Sequence, residues 1–300
     1  MLNTLVTILG PTGIGKTDLA IDLALHFGSD VISADSRQFY REMRIGTAVP
    51  SDDQLSKVRH HFIRFIPVKD YYSASLFERD VLELLPSLFQ KSRIAIMCGG
   101  SGLYIDAVLK GIDDIPDADR SVREKYTELF LKEGIESLRL ALKLMDPVHY
   151  RKVDLKNPKR LIRALEICET TGKPYSSFLG RKKAERDFRI IKIGLEMPRD
   201  ELYRRINERV DRMIGEGLED EVRGLLEFRH LNALQSVGYR ELFDYFDGII
   251  SRQEAITLIK RNSRRFARRQ ITWWSRDKNI IWFHPSEREE IIRLIEKETE

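Results

Sequence analysis

Residues 5–27 read LVTILGPTGIGKTDLAIDLALHF. An apolar run leads into GPTGIGKT at Gly10–Thr17, and a helical pattern follows, so G-x-x-x-x-G-K-[ST] stands in the strand–loop–helix context it requires. Glycines let successive backbone N–H groups turn inward around a phosphate. The Lys16 ammonium supplies a point charge for the outer phosphate, and the Thr17 hydroxyl, at a helix N-terminus, suits Mg2+. Gly10, Thr12, Gly13, Gly15, Lys16 and Thr17 are the expected phosphate-binding set. The pattern implies phosphate or pyrophosphate binding, leaves ATP binding open, and does not imply hydrolysis.

Working outward, short apolar runs occur at Leu5–Leu9, Val31–Ala34, His61–Ile66, Ile94–Cys98, Ile190–Leu195 and Ile280–Phe283. Rich in Ile and Val and separated by helical patterns, they read as buried strands of an α/β parallel sheet. The stretch from Ile115 to Lys183 has helical periodicity and no strand. We therefore expect a core formed by residues 1–114 and 187–300, with an inserted all-helical domain at 115–186. The chain has 300 residues, 42% of them hydrophobic and 33% charged, enough for a real core and without an apolar run that spans a membrane. Two distant cysteines, Cys98 and Cys168, argue against a disulfide scaffold or structural zinc, and the N-terminus does not read as a signal peptide; a cytoplasmic protein is expected.

The strand ending VISAD places Asp35 at the C-terminal edge of the sheet, where α/β proteins bind ligands. A carboxylate there can take a proton from an attacking hydroxyl or amine, or cap a following helix. The later strand ends in Cys98-Gly99-Gly100-Ser101, without the carboxylate that poises water in a phosphate hydrolase. From Ser251 to Lys278 nine basic residues face only Glu254 and Asp277, a net charge of +7 in a chain of net +4. This points to a polyanionic partner or a solvated helix face. At 100° per residue, Arg261, Arg264, Arg265 and Arg268 share one side, opposite Ile256, Ile259, Phe266, Gln270 and Trp273. Trp273 and Trp274 could stack bases, but on the apolar side they read as core packing. Cys168 and His149 show no metal partners at usable spacing and read as structural; His60 and His61 likewise lack them and read as part of a strand.

The blocks GPTGIGKT, ISADSRQFY with RIGTAVP, HHFI, YSAS, GGSGLYIDA, DP, PKRLIRALE, TGKP, RINERVDRM, GLEDEV, SVGYRE and RRFARRQITWW resemble, in this order, the bacterial tRNA dimethylallyltransferase family. The likeness runs from about Gly10 to Trp274. It implies a P-loop NTPase-like core with a helical insertion, and transfer of a dimethylallyl group from dimethylallyl diphosphate to the exocyclic amine of the adenosine 3′ of the anticodon, with Mg2+. On matching positions it implies a pyrophosphate site at Thr12, Gly13, Gly15, Lys16 and Thr17, with Arg209 near the diphosphate and Asp35 as proton acceptor. Asp35, Ser36, Arg37 and Gln38 would hold the target adenosine. Ser101, Arg123 and the stretch holding Lys159, Arg160 and Arg163 would meet tRNA, Ser101 also at the reacting centre; Gln235, and Arg264 and Arg268 on the basic helix face, are further expected tRNA contacts. The partners implied are a tRNA anticodon stem-loop and dimethylallyl diphosphate, with no membrane and no obligate protein partner. Val49 stands where lysine is frequent, Ser101 and Ser263 where threonine is usual.

Alkyl transfer independently suits these residues. A phosphate loop can neutralise a leaving pyrophosphate, and an adenine amine, its lone pair delocalised, needs a proton acceptor as it attacks. A small-molecule kinase would share the loop and Asp35 without needing the +7 segment. An adenylate isopentenyltransferase would share the chemistry without needing to hold RNA.

Overall fold

The computed structural model of the chain describes residues 2–113, 115–116, 119–180 and 184–300. It divides into two compact units, Met1–Lys110 with Glu185–Glu300, and Gly111–Ala184. The helical unit therefore starts and ends a few residues before the expected 115–186. Asp114 and Arg181–Lys183 lie outside the described residues.

The first half of the core runs β1 (Thr4–Leu9), α1 (Lys16–Phe27), β2 (Val31–Ser33), α2 (Asp52–Lys57), β3 (His60–His61), α3 (Ala74–Lys91), β4 (Ile94–Cys98) and α4 (Gly102–Lys110). The helical unit holds α5 (Arg120–Glu133), α6 (Ile135–Met145), α7 (Pro147–Tyr150) and α8 (Pro158–Thr171). The core resumes with β5 (Arg189–Leu195), α9 (Arg199–Gly215), α10 (Leu218–Arg223), α11 (Tyr239–Phe246), α12 (Arg252–Trp274), β6 (Ile281–Phe283) and α13 (Arg288–Thr299).

The strands form one parallel sheet in the order β3-β2-β4-β1-β5-β6. All six residues of β1 are buried, as a central strand covered on both faces requires. Leu5, Leu9, Ile32, Ala95 and Met97 enter one core, and Val6, Ile8, Val31, Ile94, Ile96 and Cys98 the other, following the two-residue alternation of strands. Cys98 pairs with both Ile8 and Ser33, so β1, β2 and β4 end nearly level. Their following loops therefore meet at one edge of the sheet. This is a P-loop NTPase-like core.

The expected strand 61–66 is confined to His60–His61. Beyond it Phe62 and Arg64 take positive φ, 62° and 50°, which breaks the ladder. Here His61 Nε2 lies 2.8 Å from Asp30 Oδ2, and His60 Nδ1 2.9 Å from the Val58 carbonyl. The helical unit packs Leu138, Leu142, Leu161 and Leu165 around Tyr126. There Asp146, fully buried, accepts from the Ser176 N–H at 2.6 Å and hydroxyl at 2.8 Å, and from the His149 N–H at 2.8 Å. Burial alone would raise its pKa, but these hydrogen bonds hold it below the usual value.

One carboxylate fixes the loop between β2 and α2. Glu221 in α10 accepts from the N–H groups of Arg44 (2.8 Å), Ile45 (2.6 Å) and Gly46 (3.0 Å), and from the Tyr239 hydroxyl (2.7 Å). Position 46 must be glycine, since a Cβ there would fall 2.6 Å from the Tyr239 ring. Glu221→Ala would leave several donors without their charged acceptor and should cost about 2 kcal/mol, read as a lower urea midpoint at unchanged slope. Glu221→Gln should cost less. A loss under about 0.5 kcal/mol for the alanine variant would refute this role.

Candidate active site

The phosphate loop leaves β1 through Gly10, whose φ is 142° and whose Cβ would come 2.9 Å from the Leu195 carbonyl oxygen. Gly13 and Gly15 are left-handed at 82° and 106°, and Gly15 caps α1 without a side-chain hydrogen bond. The loop is thereby a concave run of backbone ahead of a helix N-terminus, the geometry that receives phosphate oxygens. Lys16 donates to the Pro11 carbonyl at 2.9 Å. Arg209, from α9, reaches over the loop and donates to the Thr12 hydroxyl at 3.3 Å.

Asp35 follows β2, and its Oδ1 accepts the Arg37 N–H at 3.1 Å. It closes a turn rather than capping a helix, because no helix begins between it and Asp52. The loop after β4 runs against it so tightly that a Cβ on Gly99 would lie 2.2 Å from the Ala34 carbonyl oxygen. Ser101 completes the junction: its hydroxyl accepts from the Ser36 N–H at 2.9 Å and donates to the Ser36 hydroxyl at 3.0 Å. Gln38 is spent internally. Its amide donates to the carbonyls of Thr47 (3.1 Å) and Ala48 (3.0 Å), and its oxygen accepts from Ser33 at 3.2 Å. It pins the 44–50 loop while lining the first cleft, with both of its amide hydrogens engaged.

Two clefts open from this edge. The first, about 500 Å³, is lined by the phosphate loop, Asp35, and Arg205, Arg209 and Arg212 of α9. The second, about 530 Å³, is walled by Leu103, Ile206, Val210, Phe266 and Trp273, with Arg37, Gln235, Arg240 and Arg269 among its lining. Thr12, Asp35, Gly100, Arg209, Met213 and Gln270 line both, so the clefts meet at Asp35. Gln270 spans the junction from α12, accepting the Thr12 N–H at 2.8 Å and donating to the Gly100 carbonyl at 3.0 Å.

Electrostatics follow from enclosure. Lys16 keeps some surface on the cleft, yet its ammonium is packed round by protein. Burial lowers its pKa to about 8, with Arg209 adding to the shift and Cys98 and Asp35 opposing it. Arg209 is likewise lowered by burial and sustained by Asp35. Burial pushes the Cys98 thiol up to about 12, which makes it a poor nucleophile. Both cations gain by meeting an anion in this cleft.

Among the other expected residues, Arg264 donates to Asn207 Oδ1 at 2.6 Å and lies over the Tyr203 ring, so it braces α12 against α9. Arg268 is exposed. The exposed Gln235 donates to the Arg229 carbonyl at 2.7 Å. Within the helical unit, Lys159 and Arg160 are exposed at the start of α8. Arg163 pairs with the buried Glu166 at 2.6 Å, and Arg123 approaches the same carboxylate at 3.7 Å. Trp274 is buried at 3% exposure, but Trp273 and Phe266 stand 40% and 39% exposed as cleft wall, not core. Sequence reasoning missed Gln270 as a bridge, and Arg205 and Arg212. The i, i+4, i+7 spacing of Arg205, Arg209 and Arg212, one helical face, was the available signal.

With this geometry in hand, residues 38–277 match the model of the family described as IPP transferase. A tRNA dimethylallyltransferase 1 of Bacteroides thetaiotaomicron is 51% identical over 292 residues, 97% of this chain and 95% of that one. A tRNA dimethylallyltransferase 1 of Porphyromonas gingivalis is 53% identical, covering 94% of each. The crystal structure of the full-length tRNA isopentenylpyrophosphate transferase from Bacillus halodurans superposes with a TM-score of 0.70 at 36% identity, over 98% of this chain and 96% of that one. The chain belongs to the IPP transferase family, among the tRNA dimethylallyltransferases.

Proposed function

We propose that this transferase moves a dimethylallyl group from dimethylallyl diphosphate to the exocyclic amine of the adenosine 3′ of the anticodon in tRNA, in the cytoplasm, and releases pyrophosphate. The observation that carries the reading is the meeting of two unlike clefts at one carboxylate. The cationic cleft over the phosphate loop suits a diphosphate, and the more apolar, aromatic one suits a nucleoside.

The phosphate-loop amides, Lys16 and Arg209 receive the diphosphate and stabilise the negative charge that grows as its bond to the allylic carbon breaks. A new bond forms from that carbon to the adenine nitrogen, whose departing proton passes to Asp35. Ser101 acts through the Ser36 turn that it fastens, and Gln270 holds the diphosphate loop and the acceptor loop in register. Thr17 would hold a divalent cation, Mg2+ on this reading: its hydroxyl is at the head of α1 and makes no hydrogen bond among the described residues. No group of three His, Cys, Asp or Glu that could hold a metal occurs there, which fits an ion carried mainly by substrate phosphates. When bound, that ion supplies further neutralisation of the diphosphate. The exposed Lys159 and Arg160 suit contact with the RNA backbone. Among the described residues no helix is long and apolar enough to cross a membrane.

The discriminating experiment offers dimethylallyl diphosphate with either an anticodon stem-loop or AMP and weighs the products. The stem-loop should be alkylated far better; equal use of AMP would replace this reading by that of an adenylate isopentenyltransferase, and a phosphorylated product by that of a kinase.

Asp35→Asn keeps the shape and removes the proton acceptor. Single-turnover alkylation should slow by roughly 10² to 10⁴ with stem-loop affinity nearly unchanged. Loss of RNA binding with an unaltered chemical rate would assign Asp35 to positioning.

The pH dependence has a defined sign. The ammonium of Lys16 binds the diphosphate, and in the free protein it loses its proton near pH 8, so pyrophosphate affinity should fall as pH rises above about 8. Lys16→Arg, charged throughout, supplies the baseline for pyrophosphate's own titration. Parallel profiles for the two proteins would contradict the assignment.

A further inference from the structure

We propose that the indole of Trp273 is a fixed stacking platform for the nucleobase next to the target adenosine. The inference rests on the RNA reading above and deepens it. Trp273 lies at the rim shared by the second cleft and a separate groove of about 440 Å³, lined by Arg265, Arg268, Arg269, Thr272, Trp273 and Arg276.

Three observations support a platform. Trp273 is 40% exposed, although Gln270, nearly one turn before it, and the adjacent Trp274 are buried. An apolar ring left open beside a cleft keeps surface that a partner can cover. The ring is also held rigid: Nε1 donates to Asp106 Oδ2 at 3.0 Å, and the same carboxylate takes Lys110 Nζ at 2.6 Å through its other oxygen. Finally, α4 begins with a glycine that lets the indole approach, since a Cβ on Gly102 would lie 2.5 Å from Trp273 Nε1. A ring whose rotamer is set beforehand loses little entropy when a base covers it.

The surroundings select the class of partner. Among the described residues, none of Arg265, Arg268, Arg269 and Arg276 has a carboxylate within ion-pair distance, and no acidic side chain lines the groove. Partial burial lowers the pKa of Arg269, and its like-charged neighbours Arg265, Arg240 and Arg268 lower it further. Unneutralised arginines around an aromatic face suit a single strand, with phosphates on the guanidinium groups and a base on the ring. A peptide or a lipid surface would not require one rigid ring at the mouth of a nucleoside cleft. A base that stacks here covers the space left beside an extruded adenosine and helps offset the cost of extrusion.

The test measures equilibrium affinity of the whole protein for an anticodon stem-loop, together with the same stem-loop made abasic at the nucleotide on either side of the target. Trp273→Ala should weaken binding of the intact stem-loop roughly 5- to 150-fold, the range for loss of one stacked base. Trp273→Phe, which keeps a ring but loses the bond to Asp106, should fall between. Removing one neighbouring base should make the wild-type protein and Trp273→Ala bind equally, while pyrophosphate affinity stays the same in every variant. A constant ratio between wild type and Trp273→Ala across the abasic series would overturn the proposal, as would equal affinities for the intact RNA. Failure of the wild-type protein to bind the stem-loop at all would instead overturn the RNA reading on which it rests.

Discussion

Everything at the edge where the two clefts meet depends on how closely the backbones after β2 and β4 approach. The ladder continues past both strands: the Ala34 N–H donates to the Cys98 carbonyl at 2.8 Å, and the Ser101 N–H donates to the Ala34 carbonyl at 3.2 Å. No side chain fits between, so position 99 has to be glycine. This contact sets Asp35 beside Gly100 and Ser101 without any catalytic group having to hold itself in place. A parallel sheet suits the purpose, because its strands deliver their loops to one edge at the spacing of the ladder.

On this frame the parts of the site brace one another across the length of the chain. Gln270 joins the loop after β1 to the loop after β4 from a helix 258 residues away from Thr12. Glu221 holds the 44–46 backbone from 177 residues away. Buried or half-buried bridges of this kind fix the distance between the two clefts, and alkyl transfer is sensitive to that distance because the reacting atoms must sit near contact. The lowered pKa of Lys16 is the electrostatic counterpart: a cation kept poorly solvated gains most from an arriving diphosphate.

The phosphate loop and the places of the six strands among the described residues were legible in the sequence because their signals are local: glycine spacing in one case, apolar runs between turns in the other. The length of the third strand was not, since HHFIRFI is apolar enough for a longer strand while positive φ at Phe62 and Arg64 ends it after two residues. The helical wheel found the buried face of α12 but assigned Phe266 and Trp273 to it. Angular position cannot tell a packed face from the wall of a cleft beside it. Arg264 was placed on the basic face by its angle, but its contacts with Asn207 and Tyr203 of α9 were not legible there. The internal use of Gln38, the bridge by Gln270 and the clamp by Glu221 depend on loops and partners brought together by folding, and nothing in their local sequence announces them.

The central claim is that diphosphate and nucleoside occupy different clefts that meet at Asp35. It is tested most directly by equilibrium binding of an anticodon stem-loop in the absence and presence of saturating pyrophosphate. The account requires a ternary complex, with stem-loop affinity unchanged or improved once the phosphate loop is filled. Displacement of the RNA by pyrophosphate, to the extent expected of a shared pocket, would contradict it.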